Sequence, residues 1–247
     1  MRIRYTKQGK AISVKTFLRK ITPLHILYRI LINDIDIIGY VAAMIKRQKF
    51  ILNGKVYQNF IHLYNNTFNN ERCIEISAVR GLVELEINGS SKTILEVGNV
   101  LSHYFPFQHD VVDKYEKMTK VINEDIIEFK PQKRYDVIIS ISTFEHIGFD
   151  DEVIDTQKSV IAYNHLKELL NQNGTIVITM PIGYNPNILL LLEERKFDFT
   201  EIFYLKRISR MKWIESTYDE VKEYQYNYPY KNGNAIVIGL WKNGKAL

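Results

Sequence analysis

With 247 residues, 46% of them apolar and 25% charged, the chain suits one domain carrying an attached segment and has enough apolar side chains for a real core. Its net charge of +5 is mildly basic, which by itself does not argue for nucleic acid, because that needs positive charge gathered on one face. The lone Cys73 excludes an internal disulfide and a cysteine-based zinc site and fits a reducing compartment; no long apolar run precedes a small-residue cleavage site, so no signal peptide is expected.

Part of the excess charge is local. Arg2, Arg4, Lys7, Lys10, Lys15, Arg19 and Lys20 crowd the start of the chain with no acid among them. Residues from about 11 to 48 read as helical, with Thr22-Pro23 as a start signal: threonine caps, and proline sits at the first helical position. Arg29, Asp34 and Asp36 interrupt the apolar positions Leu24, Ile26, Leu27, Ile30, Leu31, Ile35 and Ile38, so no uncharged stretch is long enough to span a bilayer. Two roles compete for this segment. One is a cap helix packed on the domain or on another subunit; the other is a basic amphipathic segment lying on an anionic membrane surface. The mixed face favours the first.

Phe50 to Tyr57 reads as a small hairpin turning at Asn53-Gly54. Tyr64 to Arg72 is a polar loop with aromatics, followed by a helix over Cys73 to Leu85. Asn69 or Asn70 would cap that helix, with Glu71 in its first turn. The same loop could instead be a lid, with Arg72 fixing a carboxylate bidentately. From Thr93 onward strands and helical patterns alternate, which implies βαβ units and a mainly parallel sheet. The strands are Ile94 to Glu96, Val111 to Asp113, Tyr135 to Ser142 and Thr175 to Met180, with a helix over Val160 to Leu170 closed by Asn173-Gly174. Ile202 to Leu205 and Ala235 to Trp241 read as the last strands, with Tyr224 to Tyr230 a loop between them.

The chemistry sits at the ends of these strands. Glu96-Val97-Gly98-Asn99-Val100-Leu101-Ser102 is a strand ending in an acid and a glycine turn, and a glycine there lets backbone approach a ligand. Asp113 follows Glu96 by seventeen residues and closes a second short apolar run, with Asp110 as its competitor. Asp125 sits in Asn123-Glu124-Asp125-Ile126-Ile127, where Glu124 is the alternative contact. Tyr135 to Ile147 carries an Asp entering a strand, Ser142-Thr143 at its end, then Glu145-His146. Taken in order, these motifs resemble the class I S-adenosylmethionine-dependent methyltransferases over about residues 60 to 247. One glycine of the family's first motif is present; Val100 and Ser102 stand where the other two would be.

The resemblance implies a three-layer, Rossmann-like α/β sandwich with a seven-stranded, mainly parallel sheet whose last strand is antiparallel, preceded by a helical extension. Residues 1–60 would form that extension and the hairpin, and 61–247 the methyltransferase domain. It further implies methyl transfer from S-adenosylmethionine to a small-molecule or glycan acceptor. Glu96, Gly98, Asn99, Ser102, Asp113, Asp125, Ile126 and Ser142 would hold the cofactor, and Arg72 and Tyr184 the acceptor. His146 is the candidate general base and Glu145 the second, since histidine titrates near working pH; a packed structural histidine is the alternative. Asp150-Asp151-Glu152 reads as a solvated helix start. No metal cluster is expected, because the histidines are scattered. The expected setting is cytoplasmic, with peripheral membrane contact through the N-terminal segment as a further option. A fold that has lost catalysis and serves as a scaffold, or an RNA methyltransferase with a basic groove, are the competing functions.

Overall fold

The computed structural model describes residues 36–83 and 92–244. The expectations for the first 35 residues, including the helix start at Thr22-Pro23 and the membrane-facing segment, fall outside them.

Helix α1 (Ile37–Lys46) begins at Asp36, whose side chain accepts from the Gly39 N–H at 2.7 Å, and ends at Arg47 in the left-handed conformation. Its small residues Gly39 and Ala43 face inward. The hairpin of β1 (Lys49–Leu52) and β2 (Lys55–Gln58) turns at Asn53 and Gly54, both at positive φ, as its Asn-Gly pair requires. Tyr64–Asn69 forms a 3-10 segment and α2 (Arg72–Leu82) follows, its first backbone N–H bonded to the Asn70 side chain. Next come β3 (Ile94–Val97), β4 (Asp110–Val112), β5 (Val121–Ile122), β6 (Tyr135–Ile141), α3 (Lys158–Glu168), β7 (Leu170–Pro181) and α4 (Pro186–Glu193). The chain closes with β8 (Glu201–Ser209), β9 (Lys212–Ser216), a short α5 (Tyr218–Val221) and β10 (Ala235–Lys242).

One sheet runs β5-β4-β3-β6-β7-β10-β8-β9. From β5 to β7 every pairing is parallel; β10 is antiparallel to both β7 and β8. The inner strands read as continuous apolar runs because both faces are covered. On one face α3 and α4 bury Tyr163, Leu166, Ile188 and Leu191 against Ile138 of β6; on the other, α2 and the hairpin bury Ile74, Val79, Phe50 and Leu52 against Ile139 and Ile141. Alternation along β6 thus divides its side chains between two cores. This is a three-layer, Rossmann-like sandwich.

Among the described residues the sheet has eight strands, not seven. The additional one, β9, pairs antiparallel with β8 across a tight turn and buries Trp213. The basic run Lys206 to Lys212 hides this hairpin in the sequence, since an edge strand needs only alternate residues covered. The turn at Asn173 also differs: α3 stops at Glu168, and Asn173, at positive φ, lies in the irregular entry to β7. Among the described residues no helix is long and apolar enough to cross a membrane.

Candidate active site

In an open parallel sheet ligands bind beyond the carboxyl ends of the strands where strand order reverses. Here the chain runs outward from β3 to β4 and β5, then returns to add β6 and β7 on β3's other side. The switch point is the gap between β3 and β6. The residues singled out from the sequence converge on its carboxyl edge, in two groups.

The first group is the turn after β3. Glu96 is fully buried; its Oε1 accepts the Val100 and Leu101 N–H groups at 2.8 and 2.7 Å, and its Oε2 lies 2.7 Å from His109 Nε2. The acid therefore holds the turn from within. Gly98 has φ +83°, and a Cβ there would come within 2.1 Å of Thr143 Oγ1. The glycine lets the turn lie directly on the loop after β6. Asp113, just past β4, accepts the Asn99 N–H on Oδ2 at 2.9 Å and the Tyr115 and Glu116 N–H groups on Oδ1 at 2.8 and 2.7 Å. The Ser102 hydroxyl donates to Asn99 Oδ1. Ile126 is buried in the core beside Phe129.

Asp125 stands in an ion-pair network. Its Oδ2 is 2.8 Å from Lys158 Nζ and 3.1 Å from Lys114 Nζ, and the same lysines reach Asp151 at 2.6 and 2.8 Å. Tyr115 donates to Asp151 at 2.7 Å. For Asp151, burial works against the charge, but the hydrogen bonds from Lys114, Lys158 and Tyr115 outweigh it and hold the carboxyl well below the usual range. Asp125 is lowered in the same way, burial opposing and Lys158 and Lys114 prevailing.

The second group lies at the ends of β6 and β7. Glu75 of α2 is fully buried; its Oε1 accepts the Ser142 and Thr179 hydroxyls, each at 2.7 Å, and its Oε2 takes Arg72 Nη1 at 2.7 Å. Arg72, expected to meet a ligand carboxylate, is thus given one from its own helix. Glu71 accepts the Gly233 N–H at 2.8 Å. Glu145 is 1% exposed, and its buried Oε2 has no hydrogen-bond partner among the described residues. Burial, reinforced by the charge of Glu75, raises its pKa well above the carboxylate range.

Above Glu145 lies His146. Its Nδ1 is 2.6 Å from Asp150 Oδ2, which also accepts the Tyr184 hydroxyl at 2.8 Å. The Tyr184 ring packs edge-on against His146 at 4.6 Å and against Tyr226 at 5.1 Å. Gly183 at φ +83° makes this approach possible, since a Cβ would lie 2.5 Å from the Tyr224 carbonyl. With Asp150 accepting from Nδ1–H, Nε2 carries the lone pair, the tautomer a general base needs.

Sequence reasoning missed Asp150 as the partner of His146, although a spacing of four residues signalled it. It also missed Glu75, an acid set among the apolar residues Cys73, Ile74, Ile76 and Val79 of α2. The lysines that neutralise Asp125 carried no local signal. Among the described residues no group of three or more His, Cys, Asp or Glu side chains could hold a metal ion.

Fold and site together define a Rossmann-like α/β protein with a polar site at the carboxyl edge of its sheet. No family model and no curated protein matches the chain. Solved structures show distant likeness. The N-methyltransferase NodS from Bradyrhizobium japonicum WM9, in complex with S-adenosyl-L-homocysteine, is 13% identical with a TM-score of 0.41, covering 69% of this chain and 88% of that one. The 1,6-didemethyltoxoflavin-N1-methyltransferase of Burkholderia thailandensis is 12% identical at 0.41, covering 68% and 76%. An S-adenosylmethionine-dependent methyltransferase from Clostridium acetobutylicum ATCC 824 is 14% identical at 0.37, covering 68% and 89%. Likeness at this distance carries neither activity nor acceptor across to this chain.

Proposed function

We propose that the protein transfers a methyl group from S-adenosylmethionine to a small-molecule or glycan acceptor. The observation that carries this reading is the pairing, across one switch point, of the acid ending β4 with a His146–Asp150 dyad at the end of β6. The polar groups suit the cofactor. Asp113 Oδ2 accepts a single backbone N–H, from Asn99, and so keeps an acceptor position for a ribose hydroxyl. Asp125 Oδ1, whose donor is the Ile127 N–H at 3.4 Å, remains for a base amino group. Gly98, Asn99 and Ser102 would flank the remainder, with Glu96 holding their turn. Bound there, S-adenosylmethionine would supply a methyl group on a sulfonium, already an activated leaving group. The protein's own part is to align the acceptor, exclude water and take a proton. His146 Nε2 takes it, and Asp150 steadies the resulting imidazolium.

One observation favours a scaffold instead: Lys114 and Lys158 already neutralise Asp125. Calorimetric titration with S-adenosylmethionine and S-adenosylhomocysteine separates the two. Micromolar binding, weakened at least about tenfold by Asp113→Asn, is expected; every tenfold corresponds to about 1.4 kcal/mol. Absence of binding in the native chain would sink the methyl-transfer reading. Once an acceptor is identified, His146→Ala should lower turnover by about 10²–10⁴-fold while S-adenosylhomocysteine binding persists.

A further inference from the structure

We infer that the buried Glu145 Oε2, next to His146 and the Tyr184–Tyr226 pair that packs on it, is the seat for an amine group, so that the acceptor is an amino-bearing small molecule. The inference rests on the methyl-transfer reading only for the word acceptor; the amine site stands on its own geometry.

The first observation is an unmet hydrogen-bonding atom. Buried polar atoms are nearly always paired, and each exception calls for a reason. Glu145 Oε2 is buried without a partner among the described residues, and Oε1 has His146 Nε2 at 3.4 Å, beyond a good hydrogen bond. Asn185 bonds the Glu145 backbone carbonyl, not the carboxyl, at 2.9 Å. The second observation is charge. Three glutamates, Glu71, Glu75 and Glu145, gather behind the ends of β6 and β7. Arg72 pairs with Glu75, and Arg207 lies within electrostatic reach of Glu71. Among the described residues no lysine or arginine forms an ion pair with Glu145; its ion-pair contact is His146 Nε2, 3.4 Å from Oε1, which is charged only if protonated. Glu145 is the acid left over, and burial holds it protonated beyond the ordinary range. The third is the rim. Tyr184 packs edge to face against both His146 and Tyr226, and His146, beside the Glu145 carboxyl, is 41% exposed. Aromatic faces beside a carboxylate are the surroundings that suit an organic cation.

A hydroxyl could bond Glu145 but would not ionise it. A neutral amine would do both: the Glu145 O–H bond breaks, an N–H bond forms on the amine, and the neutral acid and amine become a charge-assisted carboxylate–ammonium pair. His146 Nε2, beside the same carboxylate, is then placed to accept an N–H proton: the N–H bond breaks, an Nε2–H bond forms, and the electron pair stays on nitrogen.

Benzylamine and benzyl alcohol, matched in shape, are the probes. Infrared difference spectra of the full chain should show benzylamine abolishing a protonated-carboxyl band that benzyl alcohol leaves, with the band missing in Glu145→Gln. Glu145→Gln should weaken benzylamine binding at least about tenfold, and Tyr184→Leu, at the partly exposed rim, several-fold. An unchanged band on adding benzylamine, or equal benzylamine affinity in native and Glu145→Gln chains, overturns the amine site. S-adenosylhomocysteine titration is run on the same samples. Its binding without a benzylamine response sinks the amine site alone; a benzylamine response without its binding sinks methyl transfer alone.

Discussion

At Gly98 two constraints coincide. The backbone is left-handed, and the space a side chain would need is filled by Thr143. Gly98→Ala should therefore cost about 1–3 kcal/mol in denaturant unfolding, from backbone strain before any repacking of Thr143. Glu75 is more heavily committed, joining α2 to β6 and β7 through two hydroxyls and a guanidinium. Glu75→Gln removes the ion-pair partner of Arg72 in the interior, and a loss of about 3–5 kcal/mol is expected from the same measurement. Glu145 behaves oppositely. Its folded pKa is raised, so the unfolded chain ionises first, and the native acid destabilises the protein as pH climbs above the unfolded value of about 4.3. Glu145→Gln should match the native chain near pH 4 and exceed it in stability at pH 7; equal unfolding midpoints at pH 7 would contradict the buried neutral acid.

Among the elements, β9 was the least visible in the sequence and is firmly anchored. It pairs with β8 on one side only, and Trp213, 1% exposed, packs into the core shared by α2 and the β1–β2 hairpin. Trp213→Ala should cost about 3–5 kcal/mol and loosen the hairpin with it, read as faster amide exchange in β1 and β9 than in β6. The hairpin itself was legible because Asn53-Gly54 dictates a turn geometry that few other pairs adopt. Strands β3, β6, β7 and β10 were legible for a different reason: covering on both faces makes their apolar runs unbroken. Where covering is partial, as at β5 and β9, the pattern thins and other readings of the same residues compete.

Across the whole molecule, the Lys114–Asp125–Asp151–Lys158 network ties the loops after β4, β5 and β6 to the start of α3. Both acids have depressed pKa values when folded. Their stabilisation is complete above the unfolded carboxylate value of about 3.9 and is lost as pH falls through the lower folded values. A fall in unfolding midpoint below about pH 4, reduced in Lys158→Met, is the expected result. The chain's local patterns were enough to locate most strands along the chain, to place acids near three strand ends and to set Glu145-His146 after β6. Periodicity and turn chemistry act between near neighbours, so those features can be read one residue after another. The company each acid keeps could not be read that way. Asp125 meets Lys158 from 33 residues away and Glu75 meets Thr179 from 104, pairings that exist only once the sheet has brought the loops to one edge. Burial then decides which carboxyl is paired, which is neutral and which is left waiting, because the cost of a charge depends on the solvent and partners that folding removes or supplies.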